Sequence, residues 1–199
     1  AALRGDFPDK VPFTVYECMI PQCAVERQLR NEGLCIVVRT VPVIATWTPN
    51  VQVEQHTYSE RGIIYTRTTY QTPVGELTTL TRPAGFTAWT VAHLFQKPED
   101  YKPILFMIRD RQHRPNYDAF LRAQADFGDD GFFRGGIGLT PLHDIMINMM
   151  GVETFAVEWA ERRDEVLRLY DALVADLRAT YPLLADSPAL AFNYGGNET

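Results

Sequence analysis

Polar side chains follow two apolar runs of the sequence, at the point where each run ends. The first run, residues 11–16, ends at Tyr16 and Glu17. The second, residues 189–192, is followed by two glycines and a group of polar residues, namely Asn193, Tyr194, Asn197 and Glu198. Polar groups where a buried strand ends in a glycine turn are typical of ligand-facing loops in parallel-sheet enzymes. We therefore predict a cleft in which Glu17 is catalytic, orienting a substrate or taking a proton, while Tyr16 and the later group bind substrate.

Two further residues are weaker candidates for substrate contact. Asp129 precedes a predicted strand, where an ordinary turn explains it equally well. His143 lies in the first turn of a predicted helix, where a solvated histidine is the common alternative. Before that helix, Gly135–Gly138 could hold an anion on backbone N–H groups, but it lacks the Lys-Ser/Thr of a phosphate-binding loop. We interpret it as a tight turn that needs positive φ.

The cysteines do not predict a metal site within this chain. Cys18 and Cys23 have four residues between them, and Cys35 follows later, whereas a zinc knuckle has two intervening residues. Small, buried side chains are the simpler explanation. No Ser/His/Asp or Cys/His constellation can be assembled from spacing alone.

The order of the elements predicts a parallel sheet. A strand at 11–16, a helix at 24–32 that stops at Gly33 and a strand at 34–38 form a β–α–β unit. Later, the patterns predict a helix at 117–127, a strand at 131–134, a long amphipathic helix around 166–177 and a strand at 189–194. This last strand needs a helix to cover it, so we expect the chain to be part of a larger enzyme.

Two other segments differ from this pattern. Residues 40–95 alternate Thr, Val, Ile and Tyr between turn signals, which predicts antiparallel strands inserted into the α/β fold, either over an active site or as an interface sheet. Residues 140–150 predict a helix that Gly151 ends. Its apolar face is expected to comprise Leu142, Ile145, Met146, Met149 and Met150.

Composition excludes several classes of protein. The net charge of −6 disfavours a nucleic acid or an anionic membrane as a partner. No apolar run approaches the roughly 18 residues needed to span a bilayer. Three cysteines, an odd number, argue against a disulfide framework and predict a reducing, cytoplasmic location.

Several motifs resemble those of the uroporphyrinogen decarboxylase superfamily, and they occur in that family's order. The opening run 1–12 is similar to the A-L-x-G-x-x-P-D-R-V-P segment that leads into the family's first barrel strand. Weaker similarities are spread over the rest of the chain, at Thr72–Leu77, Lys97–Tyr101, Gly128–Gly131 and Tyr194–Glu198. The resemblance implies a (β/α)8 TIM barrel, of which residues 1–199 would form the N-terminal portion, with the β-rich insertion at about 40–95 inside it.

The resemblance also implies what the cleft would handle. The family contains decarboxylases of uroporphyrinogen and zinc-dependent methyltransferases that act with corrinoids and thiols. Zinc would be bound by residues outside this chain, and a corrinoid would serve as substrate or as the cofactor of a partner protein. The remaining half of the barrel is an expected partner, and a homodimer is compatible with the pattern.

The stretch after the first strand departs from the decarboxylase motif. That motif has arginines that hold substrate carboxylates, whereas here Thr14–Cys23 has none, and a carboxylate at Glu17 would repel a polycarboxylate. We therefore expect a methyltransferase or demethylase acting with a corrinoid and a thiol acceptor. Tetrapyrrole decarboxylation and a non-catalytic barrel that binds a corrinoid or a partner protein stay open as alternatives.

Overall fold

The computed structural model describes residues 13–85 and 87–195, and these form a mixed α/β protein. The run 1–12, Asn197 and Glu198 lie outside the described residues. The strands are β1 (Phe13–Tyr16), β2 (Leu34–Val38), β3 (Ile44–Trp47), β4 (Gln52–Glu60), β5 (Ile63–Thr72), β6 (Gly75–Ala84), β7 (Thr87–Ala92), β8 (Gln112–Pro115), β9 (Gly131–Phe133), β10 (Gly135–Gly138) and β11 (Phe192–Tyr194). The helices are α1 (Ala24–Asn31), α2 (Tyr101–Arg109), α3 (Tyr117–Phe127), α4 (Pro141–His143), α5 (Val152–Glu161) and α6 (Arg163–Ala185).

The chain divides into two compact units, each built from separate segments of sequence. The parallel unit comprises the described residues of 1–45, 114–138 and 181–199. The antiparallel unit comprises those of 46–113 and 139–180. The insertion expected at 40–95 therefore corresponds to part of the antiparallel unit. The sequence patterns showed no linker and did not group residues 139–180 with that insertion.

The sheet of the parallel unit has the predicted β–α–β character. Strand β1 pairs with β2, and β2 with β9, all in parallel register. Strand β10 pairs in parallel with β11, and only Arg134 separates β9 from β10. The strands therefore lie in the order β1, β2, β9 and β11. Strand β10 continues β9 beyond Arg134 and is the part that pairs with β11. None of the sheets formed by residues 13–85 and 87–195 closes into a barrel.

The core of the parallel unit follows from alternation along β2. Leu34, Ile36 and Val38 are all buried, which places one face of the strand against the helices. The Phe133 ring packs edge-on against the rings of Phe120 and Phe127, each with centroids 5.7 Å apart. Apolar burial on this face is the main stabilising contribution to the unit.

The antiparallel unit contains a four-stranded meander, β4–β5–β6–β7. The antiparallel pairing expected for the insertion is confirmed, although β3 lies outside this sheet and pairs with β8. Leu77 of β6 is buried in a core that includes Ile104 of α2. A 3₁₀ turn at Pro98–Asp100 precedes α2, so Pro103 falls in the first turn of the helix, where its missing N–H leaves no hydrogen bond unmade.

The segment 140–150 differs in part from the predicted α-helix. Its first turn is α4, but Asp144–Met150 forms a π-helix. Ile145, Met149 and Met150 are buried as predicted. Leu142 is 42% exposed, so its assignment to the buried face was wrong: the wider turn moves the apolar stripe away from it. Gly151, with φ 78°, ends the segment as predicted.

The tight-turn interpretation of Gly135–Gly138 is wrong, because these residues form β10. Gly138 has φ 89° and Gly135 has no positive φ. Gly135 is instead required by close approach, because a Cβ atom built on it would overlap the aromatic ring of Phe192 in the neighbouring strand. Glycine at this position lets β11 pair closely with β10.

Gly135→Ala should therefore destabilise the protein by about 1–3 kcal/mol, the usual cost of overpacking. The matched control is Gly136→Ala, one residue along the same strand, where an added Cβ meets nothing within 4 Å. The free energies of unfolding are obtained from denaturant titrations. Equal stability of the two variants would show that the ring of Phe192 does not constrain this strand.

Candidate functional site

Two guanidinium groups lie over one tyrosine ring at the carboxyl end of the parallel strands. The Cζ atom of Arg39 lies 4.5 Å from the centroid of the Tyr16 ring, and that of Arg134 lies 5.4 Å from it. Tyr16 ends β1, Arg39 follows β2 directly, and Arg134 follows β9. We call these three residues the arginine–tyrosine cluster. Both distances are in the range of cation–π contacts.

The cluster lies on the sheet face opposite the hydrophobic core. Tyr16 is opposite Val37, and Val37 is opposite Phe132, so these three side chains share a face. Alternation along the strand direction places Arg39 and Arg134, two residues further on, on that same face. The side chains here are half-buried or exposed, with Tyr16 at 37%. This face therefore leaves polar groups available to a ligand.

Glu17, the predicted catalytic residue, forms hydrogen bonds with the backbone of the neighbouring strand segment in this structure. Its Oε1 accepts a hydrogen bond from the backbone N–H of Arg39 at 3.0 Å. Its own N–H donates to the carbonyl of Val37 at 3.3 Å. Alternation puts Glu17 on the opposite face from Tyr16, and it lines a 570 Å³ cleft beside α1. Its second oxygen, Oε2, is buried without a hydrogen-bond partner among the described residues.

The arrangement is suited chemically to holding an anion. Arg39 donates from Nη2 to the Cys18 sulfur at 3.0 Å, and no described carboxylate pairs with either guanidinium of the cluster. The Nε of Arg134 is buried without a hydrogen-bond partner in the described part of the chain. Arginine presents planar N–H donors that match carboxylates and phosphates. A planar anionic group could therefore be held at this edge.

The remaining predicted site residues are distributed over the molecule. Asn193 and Tyr194 end β11, at the same carboxyl edge as Tyr16, and both are exposed. Asp129 is exposed in the 3₁₀ turn that precedes β9, and so lies at the amino edge of the sheet. His143 is half-buried in the antiparallel unit. Only the predicted residues at the ends of β1 and β11 therefore share an edge of the sheet.

Sequence reasoning missed Arg39 and Arg134. Each is the first charged residue after a buried parallel strand, so the rule that selected Glu17 would also have selected them. Arg39 follows the run 34–38 directly, which is a visible signal. Arg134 is harder to identify, because it was included in the strand predicted at 131–134.

A second cluster of polar side chains lies within the antiparallel unit. Nδ1 of His113 is 2.8 Å from the Thr46 hydroxyl, and Nε2 is 2.7 Å from Oδ1 of Asp176. Oδ2 of Asp176 accepts from Arg111 at 3.0 Å. These residues connect β3, β8 and α6. Arg111, His113 and Asp176 line a 440 Å³ groove. The order hydroxyl–imidazole–carboxylate is that of a nucleophile with its base. Asp176 is shared between Arg111 and His113, and we interpret the cluster as structural.

Metal and membrane criteria give two further findings for residues 13–85 and 87–195. No three His, Cys, Asp or Glu side chains are placed to hold a metal ion. No helix combines the length and apolar character required to cross a bilayer.

Comparison with family models, curated proteins and solved structures gives no significant match to this chain. Function must therefore be argued from the geometry of the described residues and from the sequence motifs.

Asp176→Asn should destabilise the protein by about 1–3 kcal/mol, because Arg111 and His113 lose the carboxylate that bonds to both of them. Asp171→Asn is the matched control. It lines the same groove on the same helix, is exposed, and has no hydrogen bond or ion pair among the described residues. Thermal or denaturant unfolding provides the measurement, and a loss of similar size in both variants would contradict a specific role for Asp176.

The three thiols should differ in their rates of alkylation. Burial raises the pKa of the Cys35 thiol, so less of it is thiolate at a given pH. Cys18 and Cys23 are exposed, so the prediction of small, buried side chains is wrong for these two. With a maleimide at neutral pH, we expect two fast thiols and one slow thiol, identified by peptide mass spectrometry. Fast modification of Cys35 in the folded protein would contradict its partial burial on β2.

Proposed function

We propose that this chain is part of an enzyme with a uroporphyrinogen decarboxylase-like (β/α)8 barrel. The four adjacent parallel strand positions, with the β1–α1–β2 unit among them, are the observation that supports a barrel wall. The superfamily is proposed from the motif resemblance. The polar face that carries Tyr16 would then line the barrel interior, where ligands bind at the carboxyl ends of the strands.

The arginine–tyrosine cluster is the observation that carries the proposed function. Two arginine side chains converge on Tyr16 without a carboxylate partner among the described residues, and the buried Nε of Arg134 has no hydrogen-bond partner there, so N–H donors are available to an anion. We propose that the cluster binds the acidic side chains or the phosphate of a tetrapyrrole-like substrate. Asn193 and Tyr194 would add hydrogen bonds from β11.

The leading reaction is methyl transfer between a corrinoid and a thiol or similar acceptor. A corrinoid nucleotide carries a phosphate that the arginines could hold, while Tyr16 offers an aromatic edge to the macrocycle. The described residues do not fit zinc, since no three ligand side chains converge. Zinc would have to be bound outside the described residues.

Decarboxylation of a uroporphyrinogen-like tetrapyrrole is the second candidate, and the two arginines favour it. The sequence argument against it was that Glu17 would repel carboxylates and that no arginine stood nearby. Glu17 lies on the opposite face from Tyr16, whereas Arg39 and Arg134 lie on the same face. Fixed cations beside a substrate carboxylate would act by binding and charge placement while the C–C bond breaks, carbon dioxide leaves and a proton is added to the carbon, without a covalent enzyme–substrate intermediate.

Binding without catalysis is the third candidate, in which the barrel holds a corrinoid or a corrinoid protein. The two enzymatic candidates and this one share the same ligand-binding surface. A cytoplasmic location is part of the proposal, and the free state of Cys18, Cys23 and Cys35 supports it.

Arg39→Ala and Arg134→Ala should each weaken binding of uroporphyrin to the full-length protein by about 10–100-fold. The physical reason is the loss of one charge-assisted hydrogen bond, worth about 1.5–3 kcal/mol. Arg122→Ala, an exposed arginine on α3 of the same unit, is the control. Tetrapyrrole fluorescence gives the affinities, and parent-like binding by both variants would exclude the cluster as the site.

Turnover by the full-length protein separates the candidate reactions. Methyl transfer from methylcobalamin to a thiol, together with metal analysis, supports the leading candidate. Release of carbon dioxide from uroporphyrinogen supports the second. Ligand binding that depends on Arg39 with neither turnover supports the third, and no binding of either ligand contradicts all three.

A further inference from the structure

The antiparallel sheet has one face that does not contribute to the core. Tyr70 and Leu77 are directly opposite each other on β5 and β6, and both belong to the core that includes α2. Their neighbours Gln71 and Glu76 therefore point to the other side. We call that side the outer face; none of its residues belongs to a hydrophobic core of the described chain.

A row of aromatic and arginine side chains crosses the outer face. Tyr58 is opposite Tyr65, and their rings stack with centroids 5.7 Å apart. Arg82 is opposite Trp89, and the pairing of Thr66 with Thr81 places Arg82 beside Tyr65. The row therefore runs without interruption from β4 to β7. Trp89 at its end is 61% exposed, which is unusual for so large an apolar side chain.

Charges of both signs surround this row. Arg67 and Arg82 are the basic residues of the outer face, and Glu54, Glu60 and Glu76 are the acidic ones. None of these five has an ion pair among the described residues. In a two-fold dimer the same patch faces its own rotated copy, so a surface that carries charges of both signs allows the basic residues of one copy to pair with the acidic residues of the other. Aromatic residues and arginine are also the residues enriched at protein–protein interfaces.

The flat area of the outer face is somewhat smaller than the area that a typical stable interface buries. The longest strands, β5 and β6, have ten residues each; with a rise of about 3.3 Å per residue and a spacing of about 4.8 Å between strands, the four-stranded face measures at most about 30 by 19 Å. The flat area of this face is therefore about 570 Å², without the additional surface of its side chains. A stable interface buries about 800 Å² of accessible surface per partner. Nucleic acid suits the surface poorly, because three carboxylates outnumber two guanidinium groups there and the whole chain carries a net charge of −6.

We propose that the outer face of β4–β7 is the surface through which two copies of this chain associate as a symmetric dimer. The Tyr58–Tyr65–Arg82–Trp89 row forms the buried centre. Arg67 and Arg82 of each copy pair with acidic residues of the other. This proposal is independent of the reaction assigned to the arginine–tyrosine cluster.

Sedimentation equilibrium of the full-length protein tests the proposal. The parent protein is expected to be dimeric. Trp89→Ala, which removes the large aromatic contact, and Arg67→Glu, which turns an attraction to the acidic residues of the other copy into a repulsion, are each expected to raise the dimer dissociation constant at least about tenfold. Arg122→Glu is the control, since it makes the same charge change at an exposed position of the parallel unit. Circular dichroism of each variant verifies folding, and the exposure of Trp89 and Arg67 makes unfolding an unexpected result.

Three outcomes would overturn the proposal. One is a monomeric parent protein at all concentrations. Another is a dimer whose dissociation constant is the same in the parent, Trp89→Ala and Arg67→Glu proteins, since association would then use another surface. The third is a monomer that binds a single-stranded oligonucleotide, with Trp89→Ala abolishing that binding.

Discussion

The parallel unit depends on one junction in its backbone, where a single strand changes partners. Residues 131–133 pair with β2 and residues 135–138 pair with β11, so Arg134 stands between the two ladders. The N–H of Arg134 donates to the carbonyl of Val38, and that of Gly135 donates to the carbonyl of Ala191. These two bonds, on consecutive residues and in opposite directions, join four strand positions into one parallel array. The same junction fixes the side of the sheet on which the Arg134 side chain emerges.

The two faces of that array have different chemistry because alternation separates neighbouring residues. Tyr16 and Glu17 are adjacent in sequence, yet the tyrosine ring meets the arginines while the carboxylate bonds to the backbone of the next strand. Glu17 thus anchors the chain from which Arg39 projects. A carboxylate that accepts a backbone N–H at the end of a strand stabilises the loop geometry, and in this way it contributes to a cationic surface on the far side of the sheet.

Local patterns were sufficient to predict most elements, and tertiary contacts decided the rest. The strand 34–38 and the helix 117–127 have the predicted bounds, because apolar periodicity and a glycine stop specify them locally. Gly135 was misread because its requirement comes from Phe192, more than fifty residues away in sequence. Leu142 was misplaced because a π-helix changes the period on which the prediction depended. Of the candidate site, Tyr16, Asn193 and Tyr194 were found at the carboxyl edge. Arg39 and Arg134 were not, since their convergence on one ring requires the register of three strands.

The interleaved order of the two units has a consequence for biosynthesis. Strand β10 leaves the ribosome long before Phe192, and the intervening segment 139–180 belongs to the other unit. The edge of the parallel sheet at β10 therefore remains unpaired while residues 139–180 of the antiparallel unit are translated and folded. An open parallel edge with a glycine-rich, side-chain-poor strand is a template for wrong pairing. The rate at which residues 139–180 become compact should therefore govern how much newly made chain is lost to aggregation.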